Sequence, residues 1–373
     1  METSTSTKGI SHFGAKWDMA LKLSSNKTGL IGLDITASSV KLLELKPVKK
    51  GYKVISYTVE PLPANAVNEK NLQDAEAVGE AIKRAYVRSG SRTKSCAVAV
   101  PSAMVITKII QMPAELKDHE MNAQIQLEAD QYIPYSIEEV NLDFQIIGKS
   151  EDDEGMVDVL LAASRSENVD DRIAAAQIAG LDVKIVDVEP YTTEAAFQLI
   201  KHQIPNDGLD RTVAILDVGA SMTSLCVLRN QQLVYTREQP FGGKQLTEEI
   251  MRRYGLSYED AGRVKRVGGL PENYEPEVLA PFRDLVVQQA NRFLQFFFSA
   301  DKNDYVDQIV LAGGCTGIPG VAELIEQRIG TPTVVADLFG EMKVESDIHK
   351  QRLKDDGPAM LIACGLAMRG ADQ

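Results

Sequence analysis

The feature that most constrains this chain is a pattern that occurs twice, about half a chain length apart. The first copy, LIGLDITASSVKLLEL, covers residues 30–45, and the second, TVAILDVGASMTSLCVL, covers residues 212–228. When Asp34 is aligned with Asp217, apolar, small and apolar segments coincide over the whole length. A repeat at this spacing predicts a duplicated domain and not a short repeat array.

Each copy predicts two strands joined by a tight turn. An apolar strand ends in aspartate, turns on small residues and returns as a second strand. Backbone N–H groups in such a turn can approach an anion closely. The carboxylate can hold a hydrated Mg²⁺ beside a phosphate chain. The alternative is two unrelated hairpins whose aspartates only start turns, and the match between the copies favours anion binding.

Composition and charge limit the function classes. The 373 residues suffice for two domains, and the 44% apolar and 25% charged fractions are typical of a soluble globular protein. A net charge of −13 argues against nucleic acid as the main partner. The four cysteines and four histidines are scattered, so neither a zinc site nor a histidine-based triad is indicated. We expect the cysteines to be buried thiols in a reducing compartment.

The apolar segments favour a cytoplasmic protein whose membrane association is indirect. No run approaches the ~18 residues of a membrane helix, and the N-terminus lacks the apolar core of a signal peptide. Residues 1–27 carry four lysines in a sequence that starts Thr/Ser-rich, which predicts a disordered tail. Phe13, Trp17 and Leu21 would share one face if the tail became helical, which leaves a docking or membrane-surface role open.

The elements between the two copies indicate an insertion. Strands are predicted over 104–111, 141–148 and 156–163, and helices over 115–133 and 167–179. This β-α-β-β-α order has no counterpart in the second half of the chain. It predicts a small α+β subdomain within the first domain.

The second half adds a long helix and a glycine-rich loop. The helix predicted over 277–300 carries an aromatic stripe that indicates packing. Residues 309–330 predict a strand, a loop and a helix, and fit neither the G-x-G-x-x-G nor the Walker pattern. Gly313 and Gly314 would let a ligand lie against the backbone, although a plain strand-to-helix turn is the alternative.

Two Asp-tipped hairpins followed by a strand, a GG loop and a helix resemble the phosphate and adenosine motifs of the actin-like ATPase superfamily. The resemblance spans most of residues 29–370 and implies an α/β fold of two duplicated domains, each with a mixed five-stranded sheet, that close on ATP and Mg²⁺. It divides the chain into a tail (1–27), a first actin-like domain (28–103 and 181–207), an inserted α+β subdomain (104–180), a second actin-like core (208–240 and 302–373) and a helical subdomain (241–301).

The position of the inserted subdomain resembles that in the cell-division protein FtsA and its relatives. Several segments look like the PilM family of the type IV pilus machinery, namely SSVKLLEL, PSAMVITKIIQMP, LEADQYIPYSIEEVNLDFQII, REQPFGGKQLTEEIMRRYGLSYEDA and ACGLAMR. This resemblance implies an ATP-binding cytoplasmic component of pilus assembly and twitching motility. It would bind the N-terminal cytoplasmic peptide of PilN between the first domain and the inserted subdomain, and link the motor to the inner-membrane complex. Other pilus assembly proteins and a homo-oligomer or ring are further partners that the resemblance allows.

The resemblance also implies roles for individual residues. Asp34 and Asp217 would hold Mg²⁺ through water, and Lys41 would contact the β-phosphate. Glu189 would position the attacking water and act in catalysis together with Asp217. The alternative for Glu189 is a surface glutamate that starts a helix. The remaining implied nucleotide contacts are Ala37, Ser38, Ser39, Gly219, Ala220, Ser221, Gly242, Gly243, Lys265, Gly313, Gly314 and Thr316.

Three positions depart from the superfamily pattern. Thr36 stands where many relatives have glycine, Gly317 where heat-shock chaperone ATPases have an adenine-stacking arginine, and Gly262 where some relatives have a glutamate that contacts the nucleoside. Base specificity is therefore open, and we expect ATP hydrolysis to be slow or absent without partners. Two other functions stay open: an active ATPase or small-molecule kinase, and an FtsA-like filament-forming membrane adaptor.

Overall fold

The structure is a computed structural model that describes residues 29–150, 153–300 and 305–371. The predicted tail lies outside these residues. The chain divides into two compact units. The first contains the described residues up to Ala196, Met342–Ile348 and the described residues from Ile362 onward; the second contains Phe197–Glu341 and His349–Leu361.

The first unit begins with the strands that the sequence predicts. In chain order its elements are β1 (Leu30–Ile35), β2 (Ser39–Pro47), β3 (Tyr52–Pro61), the short β4 (Val67–Asn68) and β5 (Asn71–Leu72), α1 (Ala75–Ser89) and β6 (Ser95–Val100). The Asp74 side chain caps α1 by accepting a hydrogen bond from the Ala77 amide, and Gly90 ends it in the left-handed conformation. The two residues that fix the ends of α1 therefore lie next to the helix in the sequence.

The inserted subdomain has the predicted β-α-β-β-α order. It consists of β7 (Val105–Pro113), α2 (Asp118–Glu128), β8 (Val140–Lys149), β9 (Met156–Arg165) and α3 (Ser166–Ile178). The strands form an antiparallel sheet with β9 in the centre, and Met121 and Ile125 of α2 pack against one face. The helix predicted over 115–133 was too long. After Glu128 the chain continues as a 3₁₀ turn, and Pro134 disfavours helical geometry in the residue before it.

The first unit continues with β10 (Asp182–Val188) and α4 (Glu189–Ile200). β1, β2 and β3 pair antiparallel, whereas β6 pairs parallel with both β1 and β10. The sheet is therefore mixed. α4 begins directly after β10, whose last four residues are buried.

The second unit contains the second copy of the hairpin. Its elements are β11 (Thr212–Val218), β12 (Met222–Arg229), β13 (Gln232–Pro240), α5 (Gly243–Tyr254), α6 (Tyr258–Val267), α7 (Ala280–Ala300), β14 (Gln308–Ala312), α8 (Val321–Ile329), β15 (Thr333–Val335) and α9 (Lys350–Asp356). The described residues form the expected mixed five-stranded sheet, in the order β13-β12-β11-β14-β15. The aromatic stripe of α7 lies in the core, as predicted. No helix in the described ranges is long and apolar enough to cross a bilayer.

Two segments late in the chain return to the first unit. β16 (Lys343–Val344) pairs parallel with β3, so the described sheet has the six-stranded order β10-β6-β1-β2-β3-β16 and not the five strands that were expected. α10 (Leu361–Met368) crosses β1 so closely that a Cβ on Gly32 would lie 2.1 Å from the Ala363 carbonyl oxygen. Likewise, a Cβ on Gly365 would lie 2.0 Å from the Thr192 oxygen.

The unit boundaries therefore differ from the predicted domain boundaries. Residues 302–373 were all predicted to belong to the second domain, but strand pairing and helix packing group 342–348 and 362–371 with the first unit. Residues 197–207 were predicted to belong to the first domain. These residues group with the second unit, where Gln203 Nε2 donates to the Val335 oxygen of β15 at 2.9 Å.

A buried ion pair ties the end of α10 to the first unit. Arg369 Nε donates to Asp187 Oδ2 at 2.6 Å, and the guanidinium also reaches the Tyr191 oxygen at 3.3 Å. The relative exposure is 0% for Asp187 and 7% for Arg369. The second carboxylate oxygen accepts the Val188 amide at 2.7 Å.

We predict that Arg369→Met lowers the free energy of unfolding of the first unit by about 3–5 kcal/mol, because it leaves the buried Asp187 carboxylate without its guanidinium. Urea titration followed by circular dichroism and hydrogen exchange would measure the change. The control is Lys83→Met, which removes an exposed pair with Glu80 and should shift the value by no more than about 0.5 kcal/mol. Equal effects of the two variants would contradict this prediction.

Candidate functional site

The first hairpin turn is closed by both backbone and side chain. The Thr36 amide donates to the Ser39 oxygen at 3.0 Å. The Thr36 hydroxyl donates to the same oxygen at 2.9 Å and accepts the Ser39 amide at 3.2 Å. Thr36 therefore closes the turn with both its backbone and its hydroxyl group. Within the described residues, the Ala37 and Ser38 amides at the tip donate to no protein acceptor, whereas the Ser39 amide is already used.

Asp34 and Lys41 lie opposite each other at the end of this hairpin. Lys41 Nζ donates to Asp34 Oδ2 at 2.9 Å, and both side chains are largely buried, at 13% and 5% exposure. Lys41 was predicted to contact phosphate, and Asp34 was predicted to contact hydrated metal. In the structure they form one charge-paired group, in which the ammonium balances the carboxylate.

The second hairpin turn repeats the closing bond of the first. The Gly219 amide donates to the Met222 oxygen at 3.0 Å, which matches the bond from Thr36 to Ser39. Ala220 and Ser221 occupy the tip, and within the described residues their amides also donate to no protein acceptor. The predicted duplication therefore extends to the hydrogen bonding of the two turns.

Gly242 and Gly243 lie directly against the second turn. The Gly243 amide donates to the Gly219 oxygen at 3.0 Å, and the next amide, that of Lys244, donates to the Ala220 oxygen at 2.7 Å. A Cβ on Gly242 would lie 2.5 Å from the Gly219 oxygen. Both glycines are buried, and close packing explains why neither position carries a side chain. Their contact with a nucleotide stays a prediction.

Lys265 binds the beginning of α5 from α6. Its ammonium donates to the Gly243 oxygen at 3.0 Å and to the Thr247 hydroxyl at 2.7 Å. Burial lowers the pKa of Lys265, and the nearby Cys315 thiol opposes that effect. The predicted adenosine contact at Lys265 is therefore a cation that also holds the glycine pair in place.

The loop after β14 packs against Asp217. Gly313 has φ +91, and a Cβ there would lie 2.3 Å from Asp217 Oδ1. The Thr316 hydroxyl donates to the Gly313 oxygen at 2.8 Å, whereas a Cβ on Gly314 would meet open space. Cys315 donates to the Gly219 oxygen at 3.4 Å, and burial raises its pKa to about 11. The second unit thus brings Asp217, its turn, the glycine pair and the loop together.

Glu189 begins α4 and forms an ion pair with Lys70. The exposure of the two side chains is only 13% and 17%. Glu189 starts a helix, as the alternative interpretation expects, but its side chain is paired with Lys70 and largely shielded from solvent. One of its carboxylate oxygens is bound by the Lys70 ammonium, so the residue predicted to position the attacking water belongs to a charge-balanced pair.

Lys70 and Arg172 were missed by sequence reasoning. Lys70 sits with Glu69 in the two-residue turn between β4 and β5, where their φ angles are +71 and +45. This conformation costs a non-glycine residue roughly 1–2 kcal/mol. Arg172, which is 3% exposed, donates to the Lys70 oxygen at 2.9 Å and holds the turn. Burial lowers the pKa of Arg172, and the charge of Glu189 opposes the shift.

The match to a family model identifies the family of this chain. The family model described as type IV pilus assembly protein PilM matches residues 32–371. The chain belongs to the PilM family. A solved structure described as the PilM-PilN type IV pilus biogenesis complex resembles this PilM-family chain with a TM-score of 0.76 and 28% identity, covering 93% of this chain and 100% of that one.

Two further relatives agree with the PilM-family fold. Cell division protein FtsA of Enterococcus hirae is 23% identical over 352 residues, which cover 82% of this chain and 77% of FtsA. The structure of the ethanolamine utilization protein EutJ from Carboxydothermus hydrogenoformans matches this chain with a TM-score of 0.53 and 13% identity. The match covers 91% of this chain and 89% of EutJ, and it shows similarity of fold only. The predicted actin-like ATPase fold and PilM-family resemblance are confirmed.

We predict that Gly313→Ala destabilises the second unit by roughly 1–3 kcal/mol, because the new methyl group collides with Asp217 in a left-handed backbone. Urea titration would measure the loss. Gly314→Ala is the matched control, since its methyl group would meet no atom within 4 Å. Similar losses for the two variants would contradict the packing of Gly313 against Asp217.

Proposed function

We propose that this chain is an ATP-binding cytoplasmic component of the type IV pilus assembly complex. It binds the N-terminal cytoplasmic peptide of PilN and links the motor to the inner-membrane complex. The observation that carries the proposal is the PilM family match over residues 32–371. The likeness to a solved PilM-PilN complex supports the choice of peptide partner.

Each hairpin turn carries groups that can bind a triphosphate with Mg²⁺. The tip amides of Ala37, Ser38, Ala220 and Ser221 are donors of the kind that bind phosphate oxygens. Asp34 and Asp217 supply the carboxylates that would hold Mg²⁺ through water, and the metal would neutralise phosphate charge. Lys70 binds the Glu189 carboxylate, which was predicted to position the attacking water. We therefore propose that the protein binds ATP and hydrolyses it slowly.

Asp217→Ala should weaken MgATP binding about tenfold or more while the fold stays intact, because a charged hydrogen-bond acceptor is lost. Isothermal titration in the presence of Mg²⁺ would measure the dissociation constant, and circular dichroism would check the fold. Asp284→Ala is the control, since this aspartate lies exposed on α7. Unchanged affinity of the Asp217 variant would remove this residue from the site.

The inserted subdomain offers a surface for the peptide. β7 and β8 are the edges of its sheet within the described residues, and edge strands can accept an extended peptide. Ile109 of β7 is 47% exposed. It pairs in register with Leu160, which lies outside the core cluster under α2. Ile109 therefore faces away from α2. We propose that the peptide contacts this side of β7, which we call the docking face.

Ile109→Arg should weaken binding of a synthetic PilN N-terminal peptide about tenfold, because a charge replaces an apolar contact on the docking face. Fluorescence anisotropy of a labelled peptide would measure this. Leu127→Arg is the control: Leu127 is also apolar and is 83% exposed, but it lies on α2. The docking face would be wrongly assigned if the control weakened binding as much as Ile109→Arg.

The similarity to FtsA favours a second candidate, a filament-forming membrane adaptor. Pelleting with lipid vesicles, using the chain with and without residues 1–27, would detect it. A turnover assay separates both scaffolding functions from an ATPase or kinase: brisk hydrolysis by the purified chain alone would favour an enzyme, and stoichiometric retention of ATP would favour the proposed role.

A further inference from the structure

Arg172 lies where three parts of the first unit meet. Its guanidinium donates to the Ala99 oxygen at the end of β6 at 2.9 Å, to the Asn168 oxygen in its own helix at 2.7 Å, and to the Lys70 oxygen at 2.9 Å. A cation that is 3% exposed and bound to backbone oxygens has little freedom to move independently of them. Arg172 therefore fixes the β4–β5 turn relative to α3.

The inserted sheet leads directly to this arginine. β9 is its central strand and runs into α3 without an intervening loop, since Arg165 ends the strand and Ser166 begins the helix. Met104, which precedes β7, places its sulfur 3.8 Å from the Arg172 guanidinium. A shift of the inserted sheet would therefore be transmitted to Arg172 through β9 and α3.

Through the β4–β5 turn, the position of Arg172 determines where the Lys70 ammonium lies. Both turn residues have positive φ without being glycine, a conformation that persists only where neighbouring contacts hold it. The Arg172 bond to the Lys70 oxygen is such a contact, and the Lys70 side chain binds Glu189. If the turn relaxes, the ammonium leaves the carboxylate.

We propose that Arg172 is a positioning residue that holds Lys70 on Glu189 and so couples the inserted subdomain to nucleotide affinity. This inference rests on the proposed ATP-binding function. If ATP binds beside Glu189, as the proposed function requires, the Glu189 carboxylate would repel the triphosphate unless Lys70 balanced its charge. Binding of a peptide to the inserted subdomain would therefore change ATP affinity through Arg172.

The test is a double-mutant cycle on MgATP affinity, measured by isothermal titration with the full chain. Arg172→Lys and Lys70→Met should each weaken binding at least threefold. The double variant should bind no more weakly than Lys70→Met, because Arg172 acts through Lys70. Adding Glu189→Gln to Lys70→Met should restore affinity to within about twofold, since the repelling charge is gone. Equal losses from Arg172→Lys in both backgrounds, or no loss at all, would overturn the proposal.

A second measurement needs no nucleotide and separates this inference from the proposed function. Hydrogen exchange in residues 66–74 and 189–193 should be faster in Arg172→Lys than in the unmodified chain. Unchanged exchange would overturn the coupling even if ATP binds. If the unmodified chain fails to bind MgATP, the proposed function falls, and exchange alone decides whether Arg172 holds the turn. Arg84→Lys, at an ion pair with Glu60 in the same unit, is the control and should change neither affinity nor exchange.

Discussion

The register of the two Asp-tipped hairpins is the constraint on which the rest of the structure depends. In each hairpin the aspartate lies opposite the residue seven positions later, and the same backbone bond closes the turn. A slip of one residue would turn every side chain of a strand to the opposite face and would remove the aspartate from the tip. The surrounding elements then approach these strands closely, and glycine stands at the points where a Cβ would collide.

Much of this architecture could be predicted because its signals are local. The twin hairpins, the capped α1 and the β-α-β-β-α insertion each follow from residues that are neighbours in sequence. The same reasoning failed for β16 and for the assignment of α10. A strand of two residues has no periodicity to recognise, and α10 is apolar on most sides, so its sequence does not reveal which sheet it covers.

The sequence singles out candidate residues for the site, but it does not give the contacts that these residues make with one another. Asp34 and Lys41 were predicted to contact different ligands, and their ion pair was not predicted, because it depends on which face of the hairpin each side chain occupies. Lys70 gave no signal, because it belongs to a turn without glycine and its partner Glu189 is 119 positions away. Arg172 lies on a helix with no unusual pattern, and its function follows only from the three backbone oxygens that it binds.

The return of β16 and α10 to the first unit has a consequence for synthesis on the ribosome. A protein made from its amino terminus usually folds its leading domain first, but here that domain lacks an edge strand and a covering helix until β16 and α10 have been translated. Until then, Gly32 of β1 lacks the helix whose backbone packs against it. The first unit can therefore complete its fold only after the residues from Ile362 onward have been synthesised. The second unit, whose last segment is His349–Leu361, can reach its native state before the first.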